Sequence, residues 1–242
     1  MGDVMDFFVD WNCKLFPTAR NGILTLQDSL ETMQFLYQRD RISSFCLMTE
    51  YTVSYGSVAA FLLLRDQAFR QLKAQCPKHL KLRLATSTPI FPELHQLADL
   101  ELLLLNEDRL LPLTSPLAPY EDWIDVELNR LLYYSNIRPL FLSFDLTVKL
   151  CSEEVLQKLL RISNAVYQFN YRSLTDERAR SVIASLLRGN SNATVLLGTS
   201  IDSLTRASFY ETEYYLQCAS DYFLPSEFQT LLHQGRAFWK LL

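Results

Sequence analysis

Short apolar runs, each followed by a polar loop and an amphipathic helix, recur along this chain, and that recurrence constrains the fold more than any other feature. The first unit shows the pattern. Residues 7–9 are apolar, the chain then reaches Asp10, and a polar stretch runs on to Gly22 before helical spacing begins near Thr25. A strand that stops on an acidic residue and opens into a polar loop is where α/β proteins place their chemistry.

The unit repeats. Residues 25–39 carry Leu26, Leu30, Met33 and Leu36 at three- and four-residue spacing, and Thr25 with Asp28 makes a helix start. Residues 45–48 read as a second strand that ends near Glu50. Residues 57–75 read as a helix with Phe61, Leu64, Ala68 and Leu72 on one face. Residues 80–85 alternate apolar and basic side chains, which predicts a strand with one solvated side. Residues 100–105 and 110–113 read as a hairpin around Asn106, and the proline-rich 112–119 as a loop. Helices at 121–134, 153–162 and 175–189 follow. Strands at 139–144 (ending on Asp145), 165–169 and 194–198, with terminal helices at 204–218 and 226–241, complete the alternation. Strands alternating with helices imply a mostly parallel sheet, open or closed into a barrel. No linker or repeat divides the chain, so residues 1–242 read as a single domain, long enough for one substantial core.

Composition removes several functions. A net charge of −4 with no Lys/Arg block gives no electrostatic case for nucleic acid or an anionic membrane. The longest uncharged apolar run, 58–64, is far too short to span a bilayer, so no membrane insertion is expected. The N-terminus is acidic, unlike a signal peptide, and five scattered cysteines form no C-x-x-C. The expectation is a cytoplasmic protein with free thiols. There is no Ser-His-Asp or Cys-His arrangement and no glycine-rich phosphate loop.

Several segments, taken in order, carry a resemblance. Asp10, Cys13, Pro17 and Gly22 match the spacing of an opening motif Asp-Ile-His-Cys-His-Ile-Leu-Pro-Gly-x-Asp-Asp-Gly, and Leu26-Gln27-Asp28-Ser29-Leu30 follows at the expected distance. Ile137-Arg138-Pro139 leads into the strand that carries Ala-His-Pro-Glu-Arg in that pattern. Gln168, Asn170, Ser173 and Leu174 match Gln-x-Asn-x-x-Ser-Leu, and Thr199-Ser200-Ile201-Asp202 falls where the pattern has Ser-Asp-Ala-His. Over nearly its whole length the chain thus resembles the bacterial manganese-dependent protein-tyrosine phosphatases of capsule and exopolysaccharide operons. These belong to the PHP (polymerase and histidinol phosphatase) superfamily. The resemblance implies a distorted (β/α) barrel of PHP, TIM-like type.

The departures fall on the chemistry. The two histidines of the opening motif are here Asn12 and Lys14, and its paired aspartates are Arg20 and Asn21. The histidine after the second strand is Glu50, and the metal-bridging glutamate after the third falls at about Ser87 or Thr88. In the Ala-His-Pro-Glu-Arg segment, histidine becomes Ser143, glutamate Asp145 and arginine Leu146. The final Asp and His become Ser200 and Asp202, while Arg206 lies about one residue from the family's second arginine. The three histidines, His79, His95 and His233, lie at no predicted strand end, so an imidazole-based metal centre cannot be assembled from them.

The expectation is therefore a catalytically inactive homologue, a pseudophosphatase without metal or cofactor, acting as a binding or regulatory protein. Lys14 would supply charge where a cation sat and pair with Asp10, Glu50, Asp145 or Asp202. The alternative is a metal-dependent phosphoesterase whose remodelled site uses Asp10, Glu50, Asp145 and Asp202 as hard oxygen ligands for Mn²⁺ or Mg²⁺. A third reading is an anion pocket lined by Lys14, Arg20 and Arg206. The resemblance suggests a tyrosine kinase of a polysaccharide system as protein partner, and self-association into a homo-oligomer.

Overall fold

The computed structural model describes residues 8–17, 24–105, 109–114, 117–189 and 193–241. Seven strands are present among these residues. They are β1 (Phe8–Cys13), β2 (Ile42–Glu50), β3 (Lys81–Ser87), β4 (Leu110–Leu113), β5 (Arg138–Phe141), β6 (Val166–Asn170) and β7 (Thr194–Gly198). All neighbours pair in parallel, in two sheets ordered β1-β2-β3 and β4-β5-β6-β7. The helices are α1 (Leu26–Asp40), α2 (Val58–Gln75), α3 (Asp122–Asn129), α4 (Phe144–Leu150), α5 (Glu153–Leu160), α6 (Glu177–Gly189), α7 (Leu204–Ser208), α8 (Thr212–Tyr222) and α9 (Pro225–Leu241). No helix of the described residues is long and apolar enough to cross a membrane.

Among the described residues, backbone hydrogen bonds join the two sheets at their strand exits. Thr88 N donates to Pro112 O and Thr114 N to Thr88 O, each at 3.0 Å, and these bonds tie the end of β3 to β4. Ser200 N donates to Asn12 O at 2.8 Å and Lys14 N to Ile201 O at 3.0 Å, and these tie the end of β7 to β1. The strands therefore form an α/β fold of parallel sheets, with no single closed sheet among the described residues.

Because side chains alternate along a strand, the sheets carry two apolar layers. Val9, Trp11, Cys46, Met48, Ala85, Val166 and Leu196 form one, closed by Phe238 of α9. Trp11 fixes that helix. Its indole Nε1 donates to Gly235 O at 3.2 Å, and its ring meets Phe238 and Trp239 edge-on at 5.1 and 5.6 Å. The other layer, including Phe45, Leu47, Phe141, Tyr167, Phe169 and Val195, lies beneath the remaining helices.

Thr25 caps α1 as expected: its side chain accepts from Asp28 N, and the Asp28 carboxylate accepts from Thr25 N at 2.9 Å. Other expectations are corrected. Residues 100–103 form a 3₁₀ turn, and a lone antiparallel bridge joins Leu105 to Leu110, so there is no hairpin of two strands. Short leucine runs look alike in a strand and in a buried turn. The helix expected at 121–134 ends its α part at Asn129 and continues as a π turn over Arg130–Tyr134. The helix expected at 204–218 is broken between α7 and α8. There the Arg39 guanidinium takes the carbonyls of Ala207, Ser208 and Tyr210 and so satisfies the end of α7. Leu64, expected on the packed face of α2, is 69% exposed.

Candidate functional site

The second half of β1, the end of β6 and the residues that follow β5 and β7 converge on one point. Asp10, within β1, is fully buried. Its Oδ1 accepts from Asn12 N at 3.1 Å and Thr199 N at 2.8 Å, and its Oδ2 accepts from Thr199 Oγ1 at 2.5 Å. Burial pushes the Asp10 carboxyl up, opposed by these hydrogen bonds. Gly198 is required by the close approach here. A Cβ at this residue would stand 2.7 Å from Asn12 N and 2.9 Å from Gln168 Nε2.

Two residues further along β1, Asn12 is the hub. Its Nδ2 lies 3.0 Å from Ser143 Oγ, 3.0 Å from Gln168 Oε1 and 3.1 Å from Ser200 Oγ, and the two serine hydroxyls are 3.2 Å apart. The amide orientations follow from the network. Ser143 N donates to Gln168 Oε1 at 2.8 Å, and Gln168 Nε2 donates to Phe169 O at 2.6 Å. Gln168 Oε1 is thus an acceptor, and the Asn12 atom facing it must be the NH₂. Asn12 Oδ1 is buried with no hydrogen-bond partner among the described residues. Ser143 and Ser200 both hold left-handed backbone, at φ of 45° and 55°. For a residue with a Cβ this costs about 1–2 kcal/mol, and the shared hydrogen bonds offset it.

The remaining expected positions are dispersed. Asp145 does not end a strand. The left-handed turn at Ser143 stops β5 early, and Asp145 sits in the first turn of α4. Its Oδ1 accepts from Asn170 N at 3.0 Å, and burial raises its pKa. Asp202 pairs with Arg206 at 2.8 Å on the surface. Glu50 ends β2 and is exposed. Ser87 is buried and its hydroxyl donates to Thr49 O, and Thr88 forms the seam to β4. Lys14 is exposed, and its ammonium makes no ion pair with a described residue, so the expected pairing with the carboxylates is corrected. A neutral amide, not an ammonium, holds the centre. Arg20 lies outside the described residues, as do Asn21 and Gly22.

Asn170, Tyr210 and Tyr171 complete the surround, and none was singled out as a site residue from sequence. Asn170 Nδ2 donates to Thr199 O at 2.7 Å, Tyr210 Oη to Asn170 Oδ1 at 2.6 Å, and Tyr171 Oη to Val9 O at 3.0 Å. The Gln-x-Asn segment was the available signal for Asn170. The tyrosines gave none, because buried aromatics are common core residues. Burial raises the Cys13 and Cys46 thiols, Cys46 to about 12, which leaves both protonated and non-nucleophilic.

A divalent cation of the kind the resemblance implies would need several anionic or imidazole donors facing one point. Here the converging side chains are two hydroxyls and two amides, and Asn12 points N–H hydrogens at the centre. Among the described residues no group of three His, Cys, Asp or Glu side chains is placed to hold a metal. The described side chains at this point do not supply the donors such an ion needs.

No family model and no curated protein matches the sequence. The fold does match. The crystal structures of YwqE from Bacillus subtilis and CpsB from Streptococcus pneumoniae, unique metal-dependent tyrosine phosphatases, superimpose with a TM-score of 0.63 at 17% identity. The match covers 94% of this chain and 95% of the other. The chain thus shares the α/β fold of the YwqE and CpsB metal-dependent tyrosine phosphatases, the kind of protein its motifs resemble.

Proposed function

We propose that this chain is a catalytically inactive homologue of the PHP-type protein-tyrosine phosphatases, a pseudophosphatase that acts as a binding or regulatory protein. One observation carries the reading. Where the resemblance expects imidazoles at residues 12 and 143 and a carboxylate at 200, Asn12, Ser143 and Ser200 hydrogen-bond to one another and to Gln168. A neutral network of amides and hydroxyls supplies neither a metal-activated nucleophile nor a charge to stabilise a transferring phosphoryl group. The backbone bonds at the two seams support reading the sheets as halves of a distorted (β/α) barrel in one domain. A place in polysaccharide export or in tyrosine-phosphorylation control, with a tyrosine kinase or a second copy as partner, rests on the resemblance, and a place in the cytoplasm on the scattered free cysteines.

The test is hydrolysis of a phosphotyrosyl peptide with Mn²⁺ or Mg²⁺ present. The reading predicts no turnover above buffer. Turnover that disappears in Asp145→Ala or Asp202→Ala would instead support a metal-dependent phosphoesterase using Asp10, Glu50, Asp145 and Asp202.

A further inference from the structure

A cleft of about 710 Å³ opens beside β3, in the half of that strand away from the polar network. Leu63 and Phe69 of α2, Leu82 and Leu84 of β3, and Leu104 line it. Arg65, Arg70 and Arg83 also face it, against the lone carboxylate Asp66.

Three features of this cleft need explaining together. First, β3 is the edge of its sheet, and the seam at Thr88 lies beyond its end. Among the described residues, no backbone hydrogen bond leaves residues 81–86 on the side away from β2. An open edge is a row of unpaired donors and acceptors that proteins ordinarily cover or blunt. Second, α2 turns an apolar residue outward at the cleft, with Leu63 66% exposed. Third, the charge is unbalanced. Arg65 is committed to Asp66 at 2.7 Å and to Thr86 Oγ1 at 2.7 Å. Among the described residues Arg70 reaches only the Asp66 carbonyl. The Arg83 guanidinium stacks on Trp239 at 4.8 Å, yet its buried Nη1 has no hydrogen-bond partner among the described residues.

We infer that this cleft takes an extended, acidic segment of a partner protein, which adds as a strand to the open edge of β3. The chemistry is specific. An added strand points alternate side chains to opposite faces. Apolar ones would lie against Leu82 and Leu84 and against Leu63 of α2. Carboxylates on the other face would reach Arg83, and those at the rim Arg70. Backbone pairing gives affinity, the alternation gives register, and the free arginines select acidic over basic sequences. The inference is independent of whether the strand-exit site is catalytic.

The test is fluorescence anisotropy of a labelled peptide alternating glutamate and valine, with a lysine–valine peptide and a glutamate–valine peptide N-methylated at alternate backbone nitrogens as comparisons. The full chain should bind the first saturably and neither of the others. Arg83→Met should weaken binding by about tenfold or more, the usual loss for a charged hydrogen bond. Arg70→Glu, at an exposed position that folding does not depend on, should weaken it as well. Absence of saturable binding would overturn the inference, as would binding indifferent to N-methylation and to both substitutions. Sedimentation equilibrium is run alongside: a dimer that Leu63→Lys dissociates would assign the face to a second copy and overturn it too.

Discussion

Changing Asn12 to Asp alters one atom in shape and reverses the logic of the strand-exit network. The Asn12 NH₂ faces Gln168 Oε1 at 3.0 Å. Gln168 cannot flip to accommodate an oxygen there, since that would lose both the bond from Ser143 N at 2.8 Å and the bond to Phe169 O at 2.6 Å. An ionised carboxylate at this residue would meet an acceptor head-on, inside a buried site and two residues from the buried Asp10. Such surroundings raise a carboxylate pKa by roughly 3 units, which corresponds to about 4 kcal/mol lost at neutral pH. The sign is fixed. The folded-state pKa of the new group lies above its unfolded value, so the penalty is full above the folded pKa and disappears below the unfolded one. Asn12→Ala removes the donor without adding a charge, and the two serines can pair with each other, so it should cost only about 1–2 kcal/mol. Urea unfolding read by the fluorescence of buried Trp11, at neutral pH and near pH 5 in each variant, measures both. Asn12→Asp should be much the worse variant at neutral pH and recover relative to wild type on acidification. An Asn12→Asp protein as stable as Asn12→Ala, with no pH dependence in the difference, would refute the assigned amide orientation and the network built on it.

Other outcomes follow from the same geometry. Asp10→Ala strips the acceptor from two backbone N–H groups and the Thr199 hydroxyl and should cost about 3–5 kcal/mol in urea unfolding. Asp10→Asn keeps an acceptor and removes the buried charge. Because the Asp10 pKa is raised in the fold, wild type loses stability relative to Asp10→Asn as pH rises from the ordinary carboxylate range. Gly198→Ala drives a Cβ against Asn12 N and should cost about 1–3 kcal/mol, seen as a lower midpoint. A thiol reagent should modify half-buried Cys76 and Cys218 in the native protein, while Cys13 and Cys46 react only at the rate of unfolding.

The alternation of apolar run, polar loop and helix made the architecture legible, because a parallel α/β fold writes its period directly into the chain. Strand ends were less so. β1 runs on through Trp11 and Asn12 to Cys13, since backbone pairing continues through polar residues that periodicity reads as loop. Asp145 was misjudged because the left-handed turn at Ser143 has no glycine to announce it. The convergence of Asn12, Ser143 and Ser200 was visible only as substituted positions. That they hydrogen-bond to one another depends on Gln168, which sequence offered as a motif match and nothing more. The open edge of β3 had no signal at all, because whether a strand is an edge depends on which neighbour fails to arrive.

The most direct measurement of the central claim is metal content. The purified protein is incubated with excess Mn²⁺, Mg²⁺ and Zn²⁺, desalted, and its bound metal counted by elemental mass spectrometry. A site closed by an amide and two hydroxyls predicts metal far below one equivalent, unchanged by Asp145→Ala or Asp202→Ala. One or more equivalents, lost in those variants, would contradict the account and make the carboxylates ligands.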